Sequence, residues 1–122
     1  MIKAEIDRLY KASGYTCAGL AAAWRHEASF RAEVVAAVFL IPTACLAARS
    51  LLEGALLVGS VLLVLIVELL NSSIEAAIDR ISLDHHELSK RAKDIGSAAV
   101  ALTIVLAVLV WGAILGPRLA GS

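Results

Sequence analysis

A chain of 122 residues that is 60% hydrophobic and only 18% charged, with a mean hydropathy of +0.83, is too apolar for an ordinary soluble domain and reads as an integral membrane protein. Eleven basic residues balance eleven acidic ones, which excludes the clustered Lys and Arg footprint of a nucleic-acid binder. Cys17 and Cys45 have no Cys-x-x-Cys spacing, so they are read as packing residues and not as a metal site or a disulfide framework.

Residues 2–12 predict a short amphipathic helix. Ile2, Ile6, Leu9 and Tyr10 recur at helical spacing while Lys3, Asp7, Arg8 and Lys11 take other faces, a pattern suited to the membrane interface. With these early charges and no uninterrupted apolar core behind them, no cleaved signal peptide is expected. Ser13 and Gly14 are expected to break this helix, and a second one is expected from Tyr15 to Glu33, with Trp24 and Phe30 as interface anchors. The uncharged run Val34–Ala48 is short for a span of about 20 residues, so the preceding helix is expected to continue into it, with Pro42 a place for a kink. Arg49, Ser50 and Glu53 mark a tight turn. A second span runs from Leu51 to Glu68, and its helix continues to about Asp79. A polar connection from Arg80 to Asp94 follows, then a third span from Gly96 to Leu115 that ends at Gly116-Pro117-Arg118, with Trp111 set against lipid near the outer interface.

The helix of the second span carries the candidate chemistry. Glu68, Asn71, Glu75 and Asp79 are spaced three, four and four apart, which places them on one helical stripe at the edge of a span. Such groups can simply hold neighbouring helices together, but ionisable residues at a membrane boundary are costly and mark function by default. Nine of the eleven basic residues (Lys3, Arg8, Lys11, Arg25, Arg31, Arg80, Lys90, Arg91 and Lys93) fall on the same side of the membrane as the stripe, against Arg49 and Arg118 on the other. The positive-inside rule therefore predicts a cytoplasmic N-terminus and acidic stripe, with the C-terminus outside. Adjacent His85 and His86 point apart and lack further spaced ligands, so no metal is assigned there.

Four segments together resemble the prokaryotic diacylglycerol kinase family. They are Glu68-Leu-Leu-Asn71-Ser-Ser-Ile-Glu75-Ala-Ala-Ile-Asp79, then Glu87-Leu-Ser-Lys-Arg-Ala-Lys93-Asp94-Ile-Gly-Ser-Ala-Ala, and the early Gly14-Tyr15 with Glu27-Ala-Ser-Phe30-Arg31. The resemblance covers nearly the whole chain. It implies an all-α membrane protein with three transmembrane helices and an N-terminal amphipathic surface helix, as one domain over residues 1–122. Surface helices would lie at about 2–32 and spans at about 33–48, 51–70 and 96–115. It further implies an inner-membrane homotrimer that phosphorylates diacylglycerol with MgATP to give phosphatidic acid, with no nucleic-acid partner. By similarity Glu68 is the general base with Asn71 beside it, and Glu27 and Glu75 hold Mg2+. Arg8, Tyr15, Glu27, Glu75, Asp84, His85, His86, Lys93 and Asp94 bind the nucleotide and its metal. Arg8, Ser13, Trp24, Phe30, Arg31, Glu33, Glu68 and Ser97 meet the lipid. No Gly-x-x-x-x-Gly-Lys-Ser/Thr loop is present, so charged side chains must do the work of nucleotide binding.

Ser13, Cys17, His26 and Ala32 depart from the pattern of the enterobacterial members, which bears on acceptor preference more than on phosphoryl transfer. The alternative acceptor is undecaprenol, which the same base, metal and ATP groups would serve. An ion-translocating subunit would instead place its carboxylate near mid-membrane, and a non-catalytic assembly factor would transfer no phosphate at all.

Overall fold

The computed structural model describes residues 1–121, and among them four helices follow one another: α1 (Ile2–His26), α2 (Ala28–Ala47), α3 (Leu51–Ile81) and α4 (Glu87–Leu119). The last three are long and apolar enough to cross a membrane. At 1.5 Å per residue the 20 residues of α2 reach about 30 Å, the thickness of the hydrocarbon layer. The 31 residues of α3 and 33 of α4 reach about 46 and 50 Å, so both must project into water. The projecting end of α3 carries the acidic stripe, and the adjoining start of α4 carries Lys90, Arg91 and Lys93.

The N-terminal region departs from the expected pattern in two places. Ser13 and Gly14 do not break α1. Ser13 Oγ and Thr16 Oγ1 donate to the Leu9 and Ala12 carbonyls at 2.9 and 3.0 Å, so these hydroxyls back-bond within the helix. A single helical glycine costs only about 1 kcal/mol relative to alanine. The helix expected to run on through Glu33 instead ends at His26, because Glu27 is extended, with φ −118° and ψ 104°. Glu27 still donates its N–H to the Ala23 carbonyl at 2.9 Å and accepts from the Arg31 N–H at 3.1 Å. Arg31 Nη1 reaches back to the Trp24 and Arg25 carbonyls at 2.7 and 3.2 Å, satisfying acceptors that a helix end leaves free. Phe30, just past the corner, is only 4% exposed, so it is a core residue and not an interface anchor. The first span does extend back beyond Val34, to Ala28, but α1 leaves its axis. Ile2, Ile6, Leu9 and Tyr10 on α1 are exposed, a face open to a membrane surface.

The three helices able to span the membrane pack through α3, which contacts both α2 and α4. Phe30, Ala37 and Ala44 of α2 are buried at seven-residue intervals, a single seam of mostly small residues that admits close approach. The facing seam of α3 buries Leu57, Ser60, Val61 and Val64 and then continues without interruption into Glu68, Asn71 and Ser72. One stripe is thus hydrophobic packing in the membrane and polar site at its edge. Cys17 and Cys45 are exposed free thiols and not packing residues: α1 has few neighbours within the chain, and Cys45 lies beside buried Ala44 but turned outward.

Helix ends and crossings are fixed by side chains. The expected turn at Arg49–Glu53 is present, with Ser50 Oγ accepting the Glu53 N–H at 3.1 Å and Glu53 Oε1 accepting the Arg49 N–H at 2.9 Å, close to a capping box. α4 continues through Pro117 to Leu119, which brings Arg118 Nη2 to both Glu53 carboxylate oxygens, at 2.6 and 2.7 Å, and Nη1 to the Ala47 carbonyl at 3.1 Å. This fork ties the three spans together at the end opposite the acidic stripe. Trp111 turns its indole inward, not to lipid: Nε1 donates to the Leu57 carbonyl at 3.2 Å and to Ser60 Oγ at 3.1 Å. Ser60 Oγ itself donates to the Leu57 carbonyl, so Trp111→Phe leaves no orphaned group on α3. That substitution is expected to lower stability by about 1 kcal/mol, measured by unfolding in detergent, without changing catalysis. An unchanged midpoint would show that the indole bond adds nothing to the α3–α4 contact.

Candidate active site

Glu68, Asn71 and Ser72 are buried, at 5, 9 and 9% exposure, where α3 leaves the apolar layer. Glu75 is half-buried one turn further out, and Asp79 is exposed beyond it. The predicted stripe is therefore real. Asn71 Nδ2 donates to Glu75 Oε1 at 3.4 Å. The Glu68 carboxylate lies within electrostatic reach of Glu75 and Glu27, and Glu33 lies within reach of Glu68. Among the described residues, Glu27, Glu33, Glu68 and Glu75 have no cationic partner in an ion pair. Like charges gathered at low dielectric repel unless protons or cations compensate them. Three buried polar atoms are also unpaired, Asn71 Oδ1, Ser72 Oγ and Glu33 Oε2. For the neutral amide and hydroxyl, an unmet bond costs about 1–3 kcal/mol, a cost typical of groups that meet a ligand.

Two hollows flank this stripe. Between α1 and α3 lies a largely apolar cleft of about 500 Å3, whose lining includes Tyr15, Thr16, Leu20, His26, Glu27, Leu69, Ser72 and Ser73. Where α3 passes into α4, a second hollow of about 550 Å3 is lined by Asp79, Asp84, His85, His86, Lys90, Lys93 and Asp94, among others. Lys93 Nζ pairs with Asp79 Oδ1 at 2.8 Å and lies within electrostatic reach of Glu75, so α4 brings a cation to the acid stripe. Lys90 pairs with Asp94 Oδ2 at 2.6 Å. The two hollows thus differ in chemistry, one aliphatic with hydroxyls and a carboxylate, the other lined by charges of both signs.

The chain brings together Glu27, Glu33, Glu68, Asn71 and Glu75, and separately Asp84, His85, His86, Lys93 and Asp94. Tyr15 lines the α1–α3 cleft. Other candidates are engaged elsewhere or stand apart. Ser13 Oγ bonds within α1, and Arg31 caps α1. His86 Nδ1 accepts the Leu88 N–H at 3.0 Å as the N-cap of α4. Phe30 lies in the core, whereas Trp24 and Ser97 are exposed, and Arg8 is exposed with no ion pair among the described residues. Two positions at the site were not anticipated. Ser72 stands four residues after Glu68 and three before Glu75, a spacing that already places it on the same face. Gly96 lies against Asn71, and nothing in its local sequence marks it.

Among the described residues no three His, Cys, Asp or Glu side chains are grouped to hold a metal on their own. The donor set suits a different kind of cation. Glu27 and Glu75 offer hard oxygen donors beside uncompensated negative charge. Mg2+ takes one or two carboxylates and draws its remaining ligands from water and phosphate.

The family model described as "Prokaryotic diacylglycerol kinase" matches residues 14–115. The chain is similar to the diacylglycerol kinase of Escherichia coli K12, with 52% identity over 104 residues, 85% of each chain. It is 50% identical over 110 residues to that of Pseudomonas aeruginosa, covering 90% of this chain and 89% of the relative. A third relative, from Haemophilus influenzae, is 42% identical over 110 residues, covering 90% and 93%.

Proposed function

The chain belongs to the prokaryotic diacylglycerol kinase family, and from that premise we propose that it transfers the γ-phosphoryl group of ATP to the primary hydroxyl of diacylglycerol, giving phosphatidic acid and ADP. The observation that carries the proposal is the cluster of unpaired carboxylates around Asn71 at the mouth of a membrane span, with Glu27 and Ser72 lining an apolar cleft and Asp79, further along α3, lining a charged hollow. A lipid alcohol and a nucleotide need those two surroundings along one helix.

In this reading Glu68 accepts the hydroxyl proton as the alcohol oxygen attacks the γ-phosphorus; the bond to the β,γ-bridging oxygen breaks and its electron pair leaves with ADP. Asn71 holds the space between Glu68 and Glu75 without adding charge. Glu27 and Glu75 would hold Mg2+, which when bound lowers the negative charge that phosphates and carboxylates bring together. Lys93, on the charged side of the stripe, offers a point charge to the phosphates. Asp84, His85, His86 and Asp94 shape the nucleotide hollow, with Arg8 and Tyr15 meeting the nucleotide from α1. Ser13, Trp24, Phe30, Arg31, Glu33 and Ser97 are assigned to the lipid side, of which Phe30 and Arg31 act indirectly by shaping the corner at Glu27. We place the acidic stripe and the N-terminus in the cytoplasm, where ATP is available, on the strength of the basic-residue bias. The homotrimer is proposed from the family, and the uncovered apolar faces of the spans accommodate it.

The test is transfer of labelled γ-phosphate from MgATP by purified protein in mixed micelles that offer diacylglycerol and undecaprenol in parallel. Labelled phosphatidic acid is expected as the dominant product. Labelled undecaprenyl phosphate in its place would keep the mechanism and replace the acceptor, and well-folded protein that labels neither would overturn the proposal.

A further inference from the structure

Gly96 is the one buried residue of α4, and it lies where α4 crosses Asn71. A Cβ added there would overlap Asn71 Oδ1 and stand 3.1 Å from Asn71 Cγ. No other glycine of the described chain would bring an added Cβ closer to a neighbour than ordinary van der Waals contact. The missing side chain is therefore used at this crossing and nowhere else among them.

The crossing also fixes the amide. With Nδ2 donating to Glu75 Oε1, Oδ1 turns towards α4 and is buried there without a hydrogen-bond partner. The backbone N–H groups of α4 at this point serve their own helix, so Gly96 gives Oδ1 room and no donor. An alternative rotamer that relieved Oδ1 would take Nδ2 away from the carboxylate.

We infer that Gly96 is a positioning residue for phosphoryl transfer: the space left by its absent side chain seats the Asn71 amide beside Glu75, one turn from Glu68, with Nδ2 presented to the Glu75 carboxylate. The inference rests on the role proposed above for Asn71. Gly96 touches neither lipid nor nucleotide in this account and acts only through that amide.

Gly96→Ala is expected to lower kcat about 10- to 100-fold, the scale of a small misplacement at a reacting centre, with KM for MgATP nearly unchanged. In an Asn71→Ala background the added methyl has nothing to overlap, so the same substitution is expected to change kcat by less than about 2-fold, a non-additive pair. Wild-type kcat in Gly96→Ala, or an equal loss in both backgrounds, overturns the inference. Thermal unfolding of the same proteins in detergent decides the matter independently of activity. If Gly96→Ala fails to fold while the double variant folds like Asn71→Ala, the seat is supported; if the double variant fails as well, Gly96 is structural only. An Asn71→Ala protein with full kcat removes the role of Asn71 and positioning through it together. An impaired Asn71→Ala whose loss simply adds to that of Gly96→Ala removes the Gly96 inference alone.

Discussion

Glu68→Gln is expected to lower kcat by about 10²- to 10⁴-fold, the usual contribution of a general base, while leaving the apparent affinity for MgATP close to that of the unmodified protein. The substitution keeps the shape of a side chain that is only 5% exposed and removes a charge from a group of four carboxylates. No cation is left unpaired by the change, because Glu68 has no ion-pair partner among the described residues. The folded protein should therefore be at least as stable as before, and the unfolding midpoint in detergent checks this. The split between kcat and KM is the informative result. A loss confined to kcat assigns Glu68 to the proton transfer, and a rise confined to KM would move it to substrate binding. Wild-type turnover would eliminate Glu68 as the base.

The parts of this protein that could be read from its residues are those in which a side chain's neighbours lie within one or two turns. Glu68, Asn71 and Glu75 share a face by spacing alone, and the hydrophobic seam Leu57-Val61-Val64 leads into them by the same periodicity. The uncharged runs around Val34–Ala48, Gly54–Val67 and Gly96–Leu115 made the spans visible for a similar reason. The corner at Glu27 was not visible. It contains no Gly or Pro, and its acceptors are met by Arg31 reaching back seven and six residues, an arrangement that propensity does not encode. Trp111 looked like a belt residue because aromatics collect at interfaces, but its partners Leu57 and Ser60 are more than 50 residues away in sequence. Gly96 shows the same limit. In an Ala-rich helix it resembles any other tolerated glycine until α3 is laid across it.

Glu75→Gln should produce a different defect from Glu68→Gln, although the two acids lie on one stripe about 10 Å apart along the axis. The amide oxygen of Gln can still accept from Asn71 Nδ2, so the neutral side of the network is retained and the loss is one of charge. Two consequences follow from its neighbours. A hard cation loses an anionic donor, and Lys93, which lies within reach of Glu75, keeps Asp79 as its partner at 2.8 Å and is not released. The expected result is a rise of about 10- to 100-fold in the concentrations of Mg2+ and ATP needed for half-maximal rate, with much of kcat recovered when both are raised. Recovery by excess Mg2+ separates a weakened ligand from a missing base, since no amount of metal restores a proton acceptor. If the Mg2+ and ATP requirements of Glu75→Gln matched those of the unmodified protein, the carboxylate would not be a metal ligand. Its bond to Asn71, which Gln retains, would then be its main contribution, and kcat would stay close to that of the unmodified protein.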